Sequence, residues 1–181
     1  IWGAVPRSGK TFMIGGLIEL YRPQNVIIFL GAVTETNKQF EEDLFEKYKG
    51  SFDYNIYNKH SNNKKNREFT SLMQDQKNII LISMQKGWQT QIDTNIQKIL
   101  NNSSKKMIFF DESHQGGKGE KVEKMLKKYV FNNTNKFPFI MVTATFANPL
   151  LRFGNEGQQF WNEKANLIQW SYEDIEFMKE I

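Results

Sequence analysis

Short, nearly unbroken apolar runs recur along this chain, and segments with helical spacing separate them. Asn25 to Leu30 reads Asn-Val-Ile-Ile-Phe-Leu, and Asn78 to Ser83 reads Asn-Ile-Ile-Leu-Ile-Ser. Lys106 to Phe110 runs apolar into Asp111. Runs without polar alternation suit strands covered on both faces, which is the condition of a parallel sheet. Ile1 to Val5 reads as the end of another buried strand, Phe139 to Thr143 as a further one, and Asn166 to Trp170 as a last candidate. Phe52 to Tyr57 alternates as a strand does.

Between them lie the helices. Phe12, Met13, Leu17, Leu20 and Tyr21 predict a helix over 9–21 that Pro23 stops. Phe40, Leu44, Phe45 and Tyr48 predict another over 35–49, with Gly50 at the C-cap position. Residues 67–73 are a short candidate. Ile92, Ile96, Ile99 and Leu100 mark a helix, and Val122, Met125, Leu126, Tyr129 and Val130 mark one whose lysines form a solvated outer face. Tyr172 to Lys179 looks helical. Strands alternating with helices predict an α/β fold: a mainly parallel sheet, right-handed crossovers, and helices on both faces. Ligands of such sheets bind beyond the C-terminal strand ends.

The length of 181 residues fits one domain, so 1–181 is read as a single unit. Ile1 opens inside a strand, and the chain is read as a fragment of something longer. There are no cysteines and only two histidines, His60 and His114, which excludes disulfides and Cys- or His-rich metal sites. No apolar run reaches the roughly 18 residues of a membrane span. A net charge of +4 is compatible with a polyanionic partner.

Ala4 to Thr11 reads Ala-Val-Pro-Arg-Ser-Gly-Lys-Thr, after a strand and at the start of a helix. That context makes it a phosphate loop. Backbone N–H groups of Pro6-Arg7-Ser8-Gly9 and the helix start would cradle a triphosphate, Pro6 contributing only its fixed turn. Lys10 would neutralise the outer phosphates, and Thr11 would place its hydroxyl on Mg²⁺. The general pattern has Gly where Ala4 stands.

Met107 to His114 reads Met-Ile-Phe-Phe-Asp-Glu-Ser-His. Burying the apolar strand leaves Asp111 and Glu112 at the edge of the sheet, beside the phosphate loop. Asp111 would hold Mg²⁺ through its water shell, and Glu112 would polarise the attacking water. His114 would report the γ-phosphate to a neighbouring segment.

These residues resemble superfamily 2 helicases and translocases of the DExH type. Asp111-Glu112-Ser113-His114 looks like their motif II, and Ala4 to Thr11 like their motif I, where Ala at the first position is usual. Their commoner Gly corresponds to Arg7. Thr143-Ala144-Thr145 looks like motif III, which couples ATP chemistry to movement in that family. Thr34 to Phe40, with Gln39, lies where motif Ia does, and Ser83-Met84-Gln85-Lys86 follows a strand as motif Ic does. The resemblance implies that Thr34, Gln39, Ser83, Gln85 and Lys86 touch a nucleic-acid backbone, contacts that carry no sequence information. It covers about residues 1–170.

The resemblance implies a RecA-like P-loop NTPase lobe, the first of two, using ATP and Mg²⁺ as an ATP hydrolase. It is nearest to restriction-enzyme motor subunits and helicases of large DNA viruses, so DNA is expected before RNA. The expected location is intracellular, in the cytoplasm or a viral replication compartment. A second lobe in the full-length chain is the expected partner, and the isolated lobe should turn over little ATP. Two other readings of the same phosphate loop stay open: a nucleotide kinase or switch, and a degenerate nucleotide-binding module. Intact Lys10, Thr11, Asp111 and Glu112 weigh against the last.

Overall fold

The computed structural model describes residues 2–4, 9–30, 42, 53–58, 76–83, 94–101, 105–111, 127–131, 137–143 and 168–170. Its strands are β1 (Trp2–Ala4), β2 (Asn25–Leu30), β3 (Asn55–Asn58), β4 (Asn78–Ser83), β5 (Lys106–Asp111), β6 (Phe139–Thr143) and β7 (Ile168–Trp170). Helices α1 (Lys10–Tyr21) and α2 (Thr94–Asn101) and a π-helical turn (Lys127–Phe131) lie among them.

The apolar runs pair side by side into one sheet of seven strands in the order β3-β4-β2-β5-β6-β1-β7. Every pairing is parallel. This is the α/β architecture expected from the sequence.

Burial explains the composition of the runs. All six residues of β2, β4 and β5 are buried. Alternation then sorts them between two faces. Val26, Ile28 and Leu30, Ile79 and Leu81, Met107 and Phe109, and Val142 pack with Ile14 and Ile18 of α1. Asn25, Ile27 and Phe29, with their neighbours on β4 and β5, point the other way. On that second face Phe29 and Phe110 stack at 5.7 Å. There the Lys106 ammonium donates to the Leu100 carbonyl in the last turn of α2. Helices therefore touch both faces.

Helix α1 ends at Tyr21, where the sequence reading ends it; Arg22 turns left-handed at φ 43 and its N–H closes on the Ile18 carbonyl at 2.9 Å. Other boundaries differ. Strand β3 starts at Asn55, where the backbone N–H first bonds across to the Lys77 carbonyl at 2.9 Å. Tyr54 just before it donates its hydroxyl to the Pro23 carbonyl at 2.7 Å. The expected helix near 122–130 is π-helical over 127–131, with Tyr129 buried and Lys128 exposed. The helices expected over 67–73 and 172–179 lie outside the described residues. So does that over 35–49, apart from Glu42, which is helical.

The acidic strand β5 and the strand β1 that precedes the phosphate loop are not neighbours in the sheet, because β6 lies between them. Two strand spacings put the β1 and β5 backbones about 10 Å apart.

Candidate nucleotide site at the C-terminal strand ends

The site begins with a glycine. Gly9 caps α1 at φ 78 and ψ 25, a left-handed conformation that L side chains rarely adopt. A Cβ built there would meet nothing within 4 Å. Backbone conformation, not crowding, therefore calls for glycine. The first helical bond runs from the Met13 N–H to the Gly9 carbonyl at 3.0 Å. The N–H groups ahead of Met13 have no acceptor within the helix. No acidic residue occupies the first turn of α1. The helix dipole and those N–H groups thus favour an anion. Lys10 and Thr11 open the helix, both partly exposed.

Asp111 closes β5 and is 5% exposed. Met107 and Phe109, two and four residues earlier, face α1, so Asp111 faces α1 as well. Its register partner is Val142 on β6, which pairs in turn with Trp2 on β1. Thr143 pairs with Gly3 one step further along. The last residue of β6 thus stands at the strand ends between the acidic strand and the strand that feeds the phosphate loop. Strand order brings Thr143, which the sequence marks only as the start of Thr-Ala-Thr after an apolar run, to that position.

Ser83 ends β4, is 2% exposed, and by alternation faces α1 too. It pairs with Leu30. Its hydroxyl is buried, so contact with a polyanion from this strand end falls to residues beyond it. Pro6, Arg7, Ser8, Thr34, Gln39, Gln85, Lys86, Glu112, His114, Ala144 and Thr145 lie outside the described residues.

The donor set suits magnesium. A threonine hydroxyl and a carboxylate are hard oxygen ligands, and Mg²⁺ commonly binds one or two such groups together with phosphate oxygens and water. Among the described residues no group of three His, Asp or Glu side chains gathers into a separate metal cage. None of their helices is long and apolar enough to cross a membrane.

The opposite strand ends carry polar residues that sequence reading passed over. Asn25, Asn78 and Lys106 each open an apolar run and are each buried. The signal was a polar residue at the same place in three runs.

A sequence model of the family described as type III restriction enzyme, res subunit, matches residues 7–148. No curated protein sequence matches the chain. Among solved structures, a hypothetical ATP-dependent RNA helicase from Sulfolobus tokodaii superposes with a TM-score of 0.58 at 12% identity. The alignment covers 93% of this chain and 47% of that one, so the chain spans about half the length of that protein. At this identity the likeness is one of fold.

Proposed function

This chain belongs to the type III restriction enzyme res-subunit family, and from that premise we propose that it is the first ATP-binding lobe of a nucleic-acid-dependent ATPase. In this reading ATP hydrolysis drives translocation along, or unwinding of, DNA in preference to RNA. The observation that carries it is that Asp111 faces the side of the sheet covered by α1, the helix that Gly9-Lys10-Thr11 opens.

Pro6 to Gly9 and the start of α1 hold the triphosphate, and Lys10 neutralises its outer oxygens. Thr11 and Asp111 would hold Mg²⁺, which supplies further positive charge against the β- and γ-phosphate oxygens. Glu112 orients a water on the γ-phosphorus. A new P–O bond forms as the bond from the γ-phosphorus to the β,γ-bridging oxygen breaks. ADP leaves with that electron pair, and the proton of the attacking water passes to Glu112 and then to solvent. His114 and Thr143-Ala144-Thr145 relay the change in phosphate occupancy. Thr34, Gln39, Gln85 and Lys86 form the strand-end side that meets the nucleic-acid backbone, and Ser83, buried at the end of β4, supports that side without touching it.

A second RecA-like lobe completes the cleft in the full-length protein, so the 181-residue chain alone binds ATP weakly and hydrolyses little. Steady-state turnover by the isolated chain at the rate of the whole protein contradicts this. The central test is Mg²⁺-dependent ATP hydrolysis by the full-length protein, with and without single- and double-stranded DNA and RNA. Stimulation by one of them, lost in Lys10→Ala and Glu112→Gln, supports the motor and names its track. Turnover indifferent to every nucleic acid turns the reading to a kinase or switch. Binding without turnover turns it to a nucleotide-binding module.

A further inference from the structure

The edge of the sheet remote from the nucleotide carries a row of buried polar side chains. Asn55 on β3 pairs with Asn78 on β4, Asn78 with Asn25 on β2, and Asn25 with Lys106 on β5. One step of the register therefore crosses four adjacent strands and is polar in all of them. Asn25, Asn78 and Lys106 are 4%, 1% and 2% exposed.

Each member is bonded. The Asn78 Nδ2 donates to Asn25 Oδ1 at 2.9 Å and to the Gln76 carbonyl at 2.9 Å. The Asn55 Nδ2 donates to Gln76 Oε1 at 2.6 Å. The Lys106 ammonium donates to the Leu100 carbonyl in the last turn of α2 and lies 4.6 Å from the centre of the Phe137 ring, two residues before β6. Around them the Gln24 and Asn25 N–H groups both bond to the Lys105 carbonyl.

The rest of these strands is poorly suited to fixing its own register. Where one face of a strand is wet, a one-residue slip exposes the core and is penalised. Here Val26 to Leu30 and Ile79 to Ile82 are buried on both faces, at most 1% exposed. A slip exchanges one apolar side chain for another. It also moves β5 by about 3.3 Å and turns Asp111 to the other face, away from α1. A slip of β4 against β2 would separate Asn78 Nδ2 from Asn25 Oδ1, a slip of β5 would draw the Lys106 ammonium away from the Leu100 carbonyl, and a buried polar group left unpaired costs about 1–3 kcal/mol.

We propose that Asn25, Asn78 and Lys106 are positioning residues that set the parallel register and thereby hold Asp111 on the α1 face. The part concerning metal and nucleotide rests on the ATPase reading above. The register part does not.

The test uses the full-length protein carrying Asn25→Leu, Asn78→Leu and Lys106→Met together. Lys106→Met alone serves as a second variant should the triple fail to fold. Register is read by a disulfide between Ile28→Cys and Phe109→Cys, which are register partners. Adjacent parallel strands bring such a pair within bridging distance, and a one-residue slip puts the two on opposite faces. The bridge is located by peptide mass mapping. Nucleotide readout is the gain in ADP affinity on adding Mg²⁺.

With the row intact the bridge should form nearly completely. In the triple variant its yield should fall below half, and the Mg²⁺-dependent gain should fall about tenfold or more, with metal-free ADP binding unchanged. Lys106→Met alone should move both readouts the same way by less. Full bridging in a folded triple variant overturns the proposal. Lost bridging with an unchanged Mg²⁺ gain overturns the link to Asp111. If the parent protein shows no Mg²⁺-dependent gain, the ATPase reading fails, and bridging alone decides the register claim.

Discussion

The two edges of this sheet are built on opposite plans. At the N-terminal strand ends the buried Asn78 and Asn25 amides bond to each other and the buried Lys106 ammonium to a helix carbonyl, in a polar row that crosses four strands. At the C-terminal ends a left-handed glycine, a helix start without acidic residues and the buried carboxylate of Asp111 face a common side. At one edge polar side chains bond to one another and to nearby carbonyls, and at the other, in the function proposed, they serve a ligand. A parallel sheet makes this division natural, because all of its strands end at the same side. Rigidity at one edge can then position chemistry at the other.

The sharpest way to break the comparison is to remove charge from the ligand edge. Lys10→Ala should lower ATP hydrolysis by the full-length protein about 100-fold or more, the scale of losing one preorganised electrostatic contact. Unfolding by urea should shift by no more than about 0.5 kcal/mol, because Lys10 is a partly exposed helix-start residue. The remote edge should behave in reverse. Asn78→Ala strands the Asn25 carbonyl oxygen and should cost about 1–3 kcal/mol in urea unfolding. Asn25→Leu with Asn78→Leu removes both partners and should be close to neutral in stability.

Much of this was legible in the sequence, and the gaps have physical causes. The strands β2, β4 and β5 announced themselves as runs too apolar for a half-wet sheet. Gly9, Lys10, Thr11 and Asp111 could be placed at strand ends because each adjoins such a run or a helix start. The order of the strands could not be read. An apolar run says that it is buried and not which run lies beside it, so β6 went unrecognised as the spacer between β1 and β5. Asn25, Asn78 and Lys106 were passed over because each alone looks like an ordinary strand start. Their meaning appears only when the register aligns them. The family match over residues 7–148 bears on the chain's membership and leaves the roles of individual residues to experiment.

Gly9 sharpens the comparison at smaller scale. Gly9→Ala should cost about 1 kcal/mol through its left-handed backbone, since no neighbour crowds the new Cβ. Gly9→Asn should cost less, because Asn tolerates that conformation, and Gly9→Val should cost more. Comparing the three by thermal unfolding separates backbone strain from steric contact.

The smallest effects are in pH dependence. Burial, then the charge of Glu19, raises the Tyr54 phenol to about 12, with Arg22 opposing and Asp53 adding to the rise. The unfolded chain loses that proton near 10, and the folded one holds it longer. Stability from this group is full below pH 10 and falls as pH rises toward 12. Burial lowers Lys106 from its ordinary value. The unfolded chain binds that proton more tightly, so this contribution rises with pH up to about 10.5 and opposes the first where they overlap. Tyr54→Phe should remove the falling slope and Lys106→Met the rising one, both measured by urea midpoints across alkaline pH.

The most direct test of the division between the edges is hydrogen–deuterium exchange of the full-length protein with and without ADP and Mg²⁺. The account predicts slowed exchange over 6–13 and 111–114, no change over 24–26, 77–79 and 105–107, and loss of the protection in Lys10→Ala. Protection that appears at the Asn25, Asn78 and Lys106 row, or that survives Lys10→Ala, would contradict it.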